Sequence, residues 1–166
     1  MDPRLEPLAA VLAVNTLLFL NCLDGVTDED ALRRVDHRTN SMGFIAAHLV
    51  GARAFAAGAV GGDGTDPFAA LLGSVSSIEQ VESLPTLAEI REAWARVTRH
   101  IEAALDGISS EALDAEAKAR FPIGDPSVLG MVAFLAQHDS YHIGQLAFLR
   151  KHLGYGAMSY HKGDAT

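Results

Sequence analysis

The chain alternates long stretches, in which apolar residues return every three or four positions, with short polar or glycine-rich breaks. That period belongs to helices. The first long segment covers about residues 4–24 and ends at Gly25, a residue type that terminates helices. Its stripe is Leu8, Val11, Leu12, Leu18, Phe19 and Cys22, with Asn15 as one inward polar group. A polar stretch at 27–30 has room for one short turn of helix. The second long helix begins near Thr39 or Asn40, either of which can cap it. It carries Ser41, Phe44, Ile45, His48, Ala52 and Phe55 on one face, and Gly58, Gly61, Gly62 and Gly64 end it.

The third helix starts at a capping box, Thr86-Leu87-Ala88-Glu89, just after Pro85. Its stripe is Ile90, Trp94, Val97, Ile101 and Leu105, and Gly107 closes it. The fourth is expected to open at Asp125-Pro126, cap then first helical residue, and to run to Leu153 before Gly154. At about 1.5 Å per residue these helices measure roughly 30–40 Å, the scale of a bundle. The fold class is all-α: a four-helix bundle in one domain over 1–166, with short extra helices in the connections. One of these is expected near 67–72. The link from 58 to 85 can travel the bundle's full length, which permits the second and third helices to run parallel without requiring it.

Composition narrows the function. Hydrophobic residues make up 49%, charged ones 20% and aromatics 7%, an ordinary globular profile. The net charge of −8, without a cluster of Lys and Arg, argues against nucleic acid as a partner. Cys22 is the single cysteine, so no disulfide joins the chain to itself, and its apolar setting reads as an inert core thiol. The apolar stretch 5–23 raises the question of a membrane. Asp2 and Glu6 before it argue against a signal peptide, and Asn15, Thr16 and Asn21 argue against a spanning helix. The expected location is cytoplasmic, with no membrane partner.

The chemistry concentrates in histidine. His138 and His142 stand four apart on the fourth helix, about 40° apart around its axis, so both rings can face one atom. Alone, such a pair reads more readily as core histidines bonded to carbonyls, or as surface groups, than as ligands. His48, in the middle of the second helix's apolar face, changes the balance. Three imidazoles on core-facing stripes are hard to satisfy without a shared cation. Three histidine ligands leave positions open for water or substrate, as catalytic sites do. No Asp or Glu stands at an obvious general-base position beside them, which weakens a hydrolytic reading.

Four further residues are candidates for the pocket or for support behind the ligands: Asn15, Ser41, Tyr141 and Gln145. Each has a plainer reading, as packing, cap or rim. Asp139 points about 100° away from His138 and reads as a solvated or inter-helix charge rather than a fourth ligand. His100 and His161 read as surface groups, His152 as a rim group with a peripheral acid or base as the lesser alternative, and His37, before the second helix, has no clear role. Small residues Ala133, Ala136, Ser140, Gly144 and Ala147 line another side of the fourth helix, suited to close packing within the bundle or to a dimer seam.

Two segments carry a family resemblance: Asn40-Ser41-Met42-Gly43-Phe44-Ile45-Ala46-Ala47-His48-Leu49, and His138-Asp139-Ser140-Tyr141-His142-Ile143-Gly144-Gln145-Leu146. Together they resemble the signature regions of the DinB-like superfamily, which includes YfiT-like metalloenzymes and thiol-dependent S-transferases. The resemblance implies an up-down-down-up bundle in which His48, His138 and His142 ligate one divalent metal (Zn, Ni or Fe) with waters completing the shell. It also implies a homodimer and a small-molecule substrate. Transfer of sulfur from a low-molecular-weight thiol onto an electrophile is the expected activity. The rivals are a metal-dependent hydrolase and a non-catalytic, stress-related metal-binding bundle.

Overall fold

The computed structural model describes all residues except 74, 76, 77, 82 and 161–166. Four long helices form the bundle: α1 (Glu6–Leu23), α3 (Met42–Ala59), α5 (Leu87–Gly107) and α7 (Val128–His152). Short helices α2 (Asp28–Leu32), α4 (Ala69–Leu72) and α6 (Ser110–Asp114) sit in the connections, with a 3₁₀ turn at Ile78–Gln80. Among the described residues there are no strands, only an isolated bridge between Glu116 and Ser127.

The helix ends follow local chemistry. At α5 the Thr86 hydroxyl accepts from the Glu89 N–H while Glu89 reaches back to the Thr86 N–H, the full capping box. Gly25 and Gly154 adopt φ of 69° and 90°, the left-handed turn that stops α1 and α7. Two expected caps are displaced. Ser41, rather than Thr39 or Asn40, caps α3 by accepting from the Phe44 N–H, because the Thr39 hydroxyl is engaged in a turn with Asp36. Ser127 caps α7, while Asp125 accepts from the Ser127 N–H in a tight turn just outside the helix.

Two clusters make the core. One joins the C-terminal halves of α1 and α7 to the N-terminal halves of α3 and α5, with Phe19, Leu49, Trp94 and Leu146 fully buried. The other joins the opposite halves through Leu5, Ala57, Leu105 and Met131. The α5 stripe is buried as expected throughout. On α1, Val11 departs from the expected stripe and is exposed, as are Val14 and Leu17. α1 and α3 are each long and apolar enough to cross a membrane by length and composition, although 67% of α3 is buried within the bundle.

The two core clusters are bridged by a buried polar group that the apolar pattern conceals. Arg53 of α3 is 2% exposed and Asp139 of α7 is 3% exposed. The guanidinium donates to the Asp139 carboxylate at 2.5 and 3.1 Å. It also donates to the hydroxyls of Thr16 on α1 and Thr98 on α5, at 2.6 and 2.9 Å. Its face lies 3.7 Å from the centre of the Trp94 ring, which itself stacks on Phe19. One cation thus touches all four long helices. Burial pushes the Asp139 carboxyl up and Arg53 down, each opposed by the charge of the other; an arginine so paired stays charged.

Breaking such a pair strands a buried charge, at a cost of about 3–5 kcal/mol. Arg53→Ala should therefore lower unfolding free energy by about that amount, whereas Arg53→Met combined with Asp139→Leu should recover most of it. Urea denaturation of the three proteins checks this. Equal loss in the single and double variants would show that shape, not charge, governs the contact.

Candidate metal centre

α3 and α7 pack side by side, and the groove between them brings together His48, His138 and His142. The Nε2 atoms of His48 and His138 are 3.3 Å apart, and those of His142 and His138 are 3.1 Å apart. The three rings meet edge to face, with centroids 4.4–5.2 Å apart. Each pair is at hydrogen-bond distance when one ring carries its proton on Nε2, and presents two lone pairs to a shared cation when neither does. Nitrogens bound at about 2.0–2.1 Å to a tetrahedral ion stand about 3.3 Å apart, and somewhat closer on one face of an octahedron. Both observed separations fit. The three histidines can therefore hold one metal ion.

The surroundings differ from the expected buried stripe. Ser41, Phe44 and Ile45 of the expected stripe are buried, but His48 is exposed, and so is Phe55 two turns along, because α3 also buries Ala46, Leu49, Val50, Arg53 and Ala57. α3 is apolar on nearly every side, and its true core face lies beside the expected one. The cluster consequently sits at the open edge of the groove, with His138 and His142 half-buried. A phenylalanine wall closes one flank: Phe134 lies against His138, Phe121 against Phe134, and Phe55 against Phe121, with centroids 6.2, 5.1 and 6.0 Å apart.

Gln145 stands behind His142. The Nδ1–H of His142 donates to the Gln145 side-chain carbonyl at 2.7 Å, and the Gln145 amide donates to the Tyr141 hydroxyl at 3.2 Å. This fixes the ring's proton on Nδ1 and leaves the Nε2 lone pair facing the cluster, the usual support behind a metal-bound histidine. Tyr141 is exposed at the rim, its ring edge-on to His142. The Nδ1 of His138 is buried without a partner among the described residues.

The other candidates fall elsewhere. Asn15 is buried between α1 and α7, its amide donating to the Ala136 carbonyl and the Ser140 hydroxyl; it clamps two helices and bonds none of the three histidines among the described contacts. Ser41 is the cap of α3. Asp139 is an inter-helix charge and not a solvated one. His152 stacks on Phe148 at the end of α7, His100 lies near Asp63, and neither joins the cluster. His37 is exposed, and only its carbonyl is engaged, by Arg34. His161 lies outside the described residues. Arg53 escaped sequence reasoning, yet a signal existed: it is the one Lys, Arg, Asp or Glu within α3, and Asp139 is the sole such residue in the first twenty-two of α7.

Burial pushes His138 down from 6.5 to about 4, with His142 and His48 adding to the shift. The groove lowers His48 as well, His142 contributing second. Both are neutral near pH 7, the state that binds metal. His138 titrates near 6.5 when unfolded and near 4 when folded, so the unfolded chain holds more protons between those values. Metal-free protein should lose stability as pH falls through that window, and His138→Gln should lose less. Urea midpoints measured in chelator across the window test this; a flat profile in the wild type contradicts it. Gln145→Leu should weaken metal binding by roughly 10–100-fold, read by competition with a chromogenic chelator.

The family model described as the DinB superfamily matches residues 14–146, a span that includes all three histidines and Gln145. None of the curated proteins matches the chain.

Proposed function

Because the chain belongs to the DinB superfamily, we propose that His48, His138 and His142 hold one divalent metal in an open centre serving thiol S-transfer to electrophilic small molecules. The observation that carries this reading is the convergence of three imidazole nitrogens, at 3.1 and 3.3 Å, on the exposed edge of a groove. Zinc, nickel or iron suits an all-imidazole set. When bound, such an ion supplies a lowered pKa to a coordinated thiol or water, and so a nucleophile near neutral pH.

The chain's own residues do the rest. Gln145 orients His142 through the Nδ1 proton, and Tyr141 in turn holds the Gln145 amide. The wall of Phe134, Phe121 and Phe55 keeps water from the His138 flank and offers an apolar surface to an electrophile. Openness favours reactivity over bracing, since structural sites are closed by four protein ligands and three converge here. Thiol transfer is preferred to hydrolysis because hydrolysis needs a positioned base. The carboxylate adjacent to the ligands in sequence, Asp139, faces the core and is engaged by Arg53.

The same reading takes the protein as cytoplasmic and homodimeric, without nucleic-acid or membrane partners. The exposed Val11, Val14 and Leu17 of α1 support a dimer seam, and the net charge of −8 supports the exclusion of nucleic acid.

Purified protein should contain stoichiometric metal that a His48→Ala, His138→Ala double variant lacks. The cobalt-substituted protein should develop a thiolate charge-transfer band with one member of a low-molecular-weight thiol panel and turn over a model electrophile with that thiol. Metal binding without any thiol response would instead favour a non-catalytic, stress-related bundle. Turnover of ester substrates without thiol would favour the hydrolase.

A further inference from the structure

Tyr141 and Gln145, which contact His142, also line a cavity of about 650 Å³, within the range of small-molecule sites. Arg38 and Asn40 line it from the turn before α3, Ile45 from α3, and Tyr141, Gln145 and Phe148 from α7. Gln145 is the residue whose carbonyl backs His142, so a ligand there lies one side chain from the centre.

The body of the cavity is apolar, and its polar groups are unbalanced. Arg38 is 79% exposed at its side chain, and among the described residues its one ion contact is Asp36 at 3.8 Å, a surface pair of little strength. Ser41 caps α3 in place of Asn40, and the Asn40 amide makes no hydrogen bond among the described residues. The Tyr141 hydroxyl accepts from Gln145 and keeps its own proton to donate. Among the described residues no acidic one lines the cavity, in a chain with 21 Asp and Glu against 13 Lys and Arg.

The turn that presents these groups is built, not loose. The Thr39 hydroxyl donates to the Asp36 carbonyl and accepts from its N–H, the Arg38 N–H donates to the Asp36 carboxylate, and Arg34 grips the carbonyls of His37 and Thr39. A guanidinium, an amide and a phenol proton therefore face an apolar cavity with spare donors, which suits an anion with an apolar body. The planar fork of arginine matches a carboxylate.

We propose that this cavity binds a small organic carboxylate, its charge on Arg38 and Asn40 and its apolar body on Ile45 and Phe148, as the recognition subsite for a reactant of the histidine centre. The proposal rests on the reading of the groove as a reactive site, but its test does not need metal. Full-length protein, in chelator so that no carboxylate is held by metal, is titrated with para-ethylbenzoate and with neutral para-ethylbenzamide while the resonances of Tyr141 and Gly144 are followed.

The carboxylate should bind about tenfold more tightly than the amide. Arg38→Gln should abolish that preference, whereas Arg33→Gln, a surface arginine paired with Asp30, should keep it. A Cβ at Gly144 meets nothing within 4 Å, so Gly144→Leu should fold and fill the cavity, weakening both probes. Equal binding of the two probes, a preference that survives Arg38→Gln, or unchanged binding to Gly144→Leu overturns the proposal. Loss of metal binding in the histidine variants bears only on the centre itself.

Discussion

The contact on which the structure depends is the ion pair between Arg53 and Asp139. A buried ion pair adds little net stability over a well-packed apolar pair, but it tolerates no slippage, because any shift leaves a charge without its partner. Here it ties α3 to α7 at one height and one rotation, with Thr16, Thr98 and Trp94 fixing the guanidinium from the other two helices. His138 directly precedes Asp139, and His48 lies five positions before Arg53. Setting the pair therefore sets the histidines. Adjacent residues of α7 face about 100° apart, one into the core and one into the groove, and the core residue serves as the rotational stop for its neighbour.

The four long helices were legible because each carries its period and at least one strong end signal. The Thr86–Glu89 box is the clearest, since its two side chains satisfy each other without help from the rest of the fold. The starts of α3 and α7 were less so. Thr39, Asn40 and Ser41 are all capping residues, and what selects Ser41 is the use of Thr39 in a turn with Asp36, a choice made outside the helix.

The three histidines were likewise legible as a set, but not their setting. With apolar residues on nearly all of α3, periodicity has no contrast by which to separate the core face from the groove face, so one stripe joins the buried Phe44 and Ile45 to the exposed His48. Asn15 shows the complementary limit. A buried amide on a helix announces that it has a partner, yet nothing local says whether that partner is a carbonyl on α7 or a group in the groove.

The ligands come from two helices, with His48 and His138 separated by 90 positions in the chain. An ion shared between them is a removable cross-link over that long loop. Unfolding must release it, so binding adds about 2.7 kcal/mol once free metal exceeds its dissociation constant by roughly a hundredfold. With such an ion bound, the lifetime of the folded chain against proteases would be tied to metal supply. A starved cell would lose the protein by degradation as well as losing what it does.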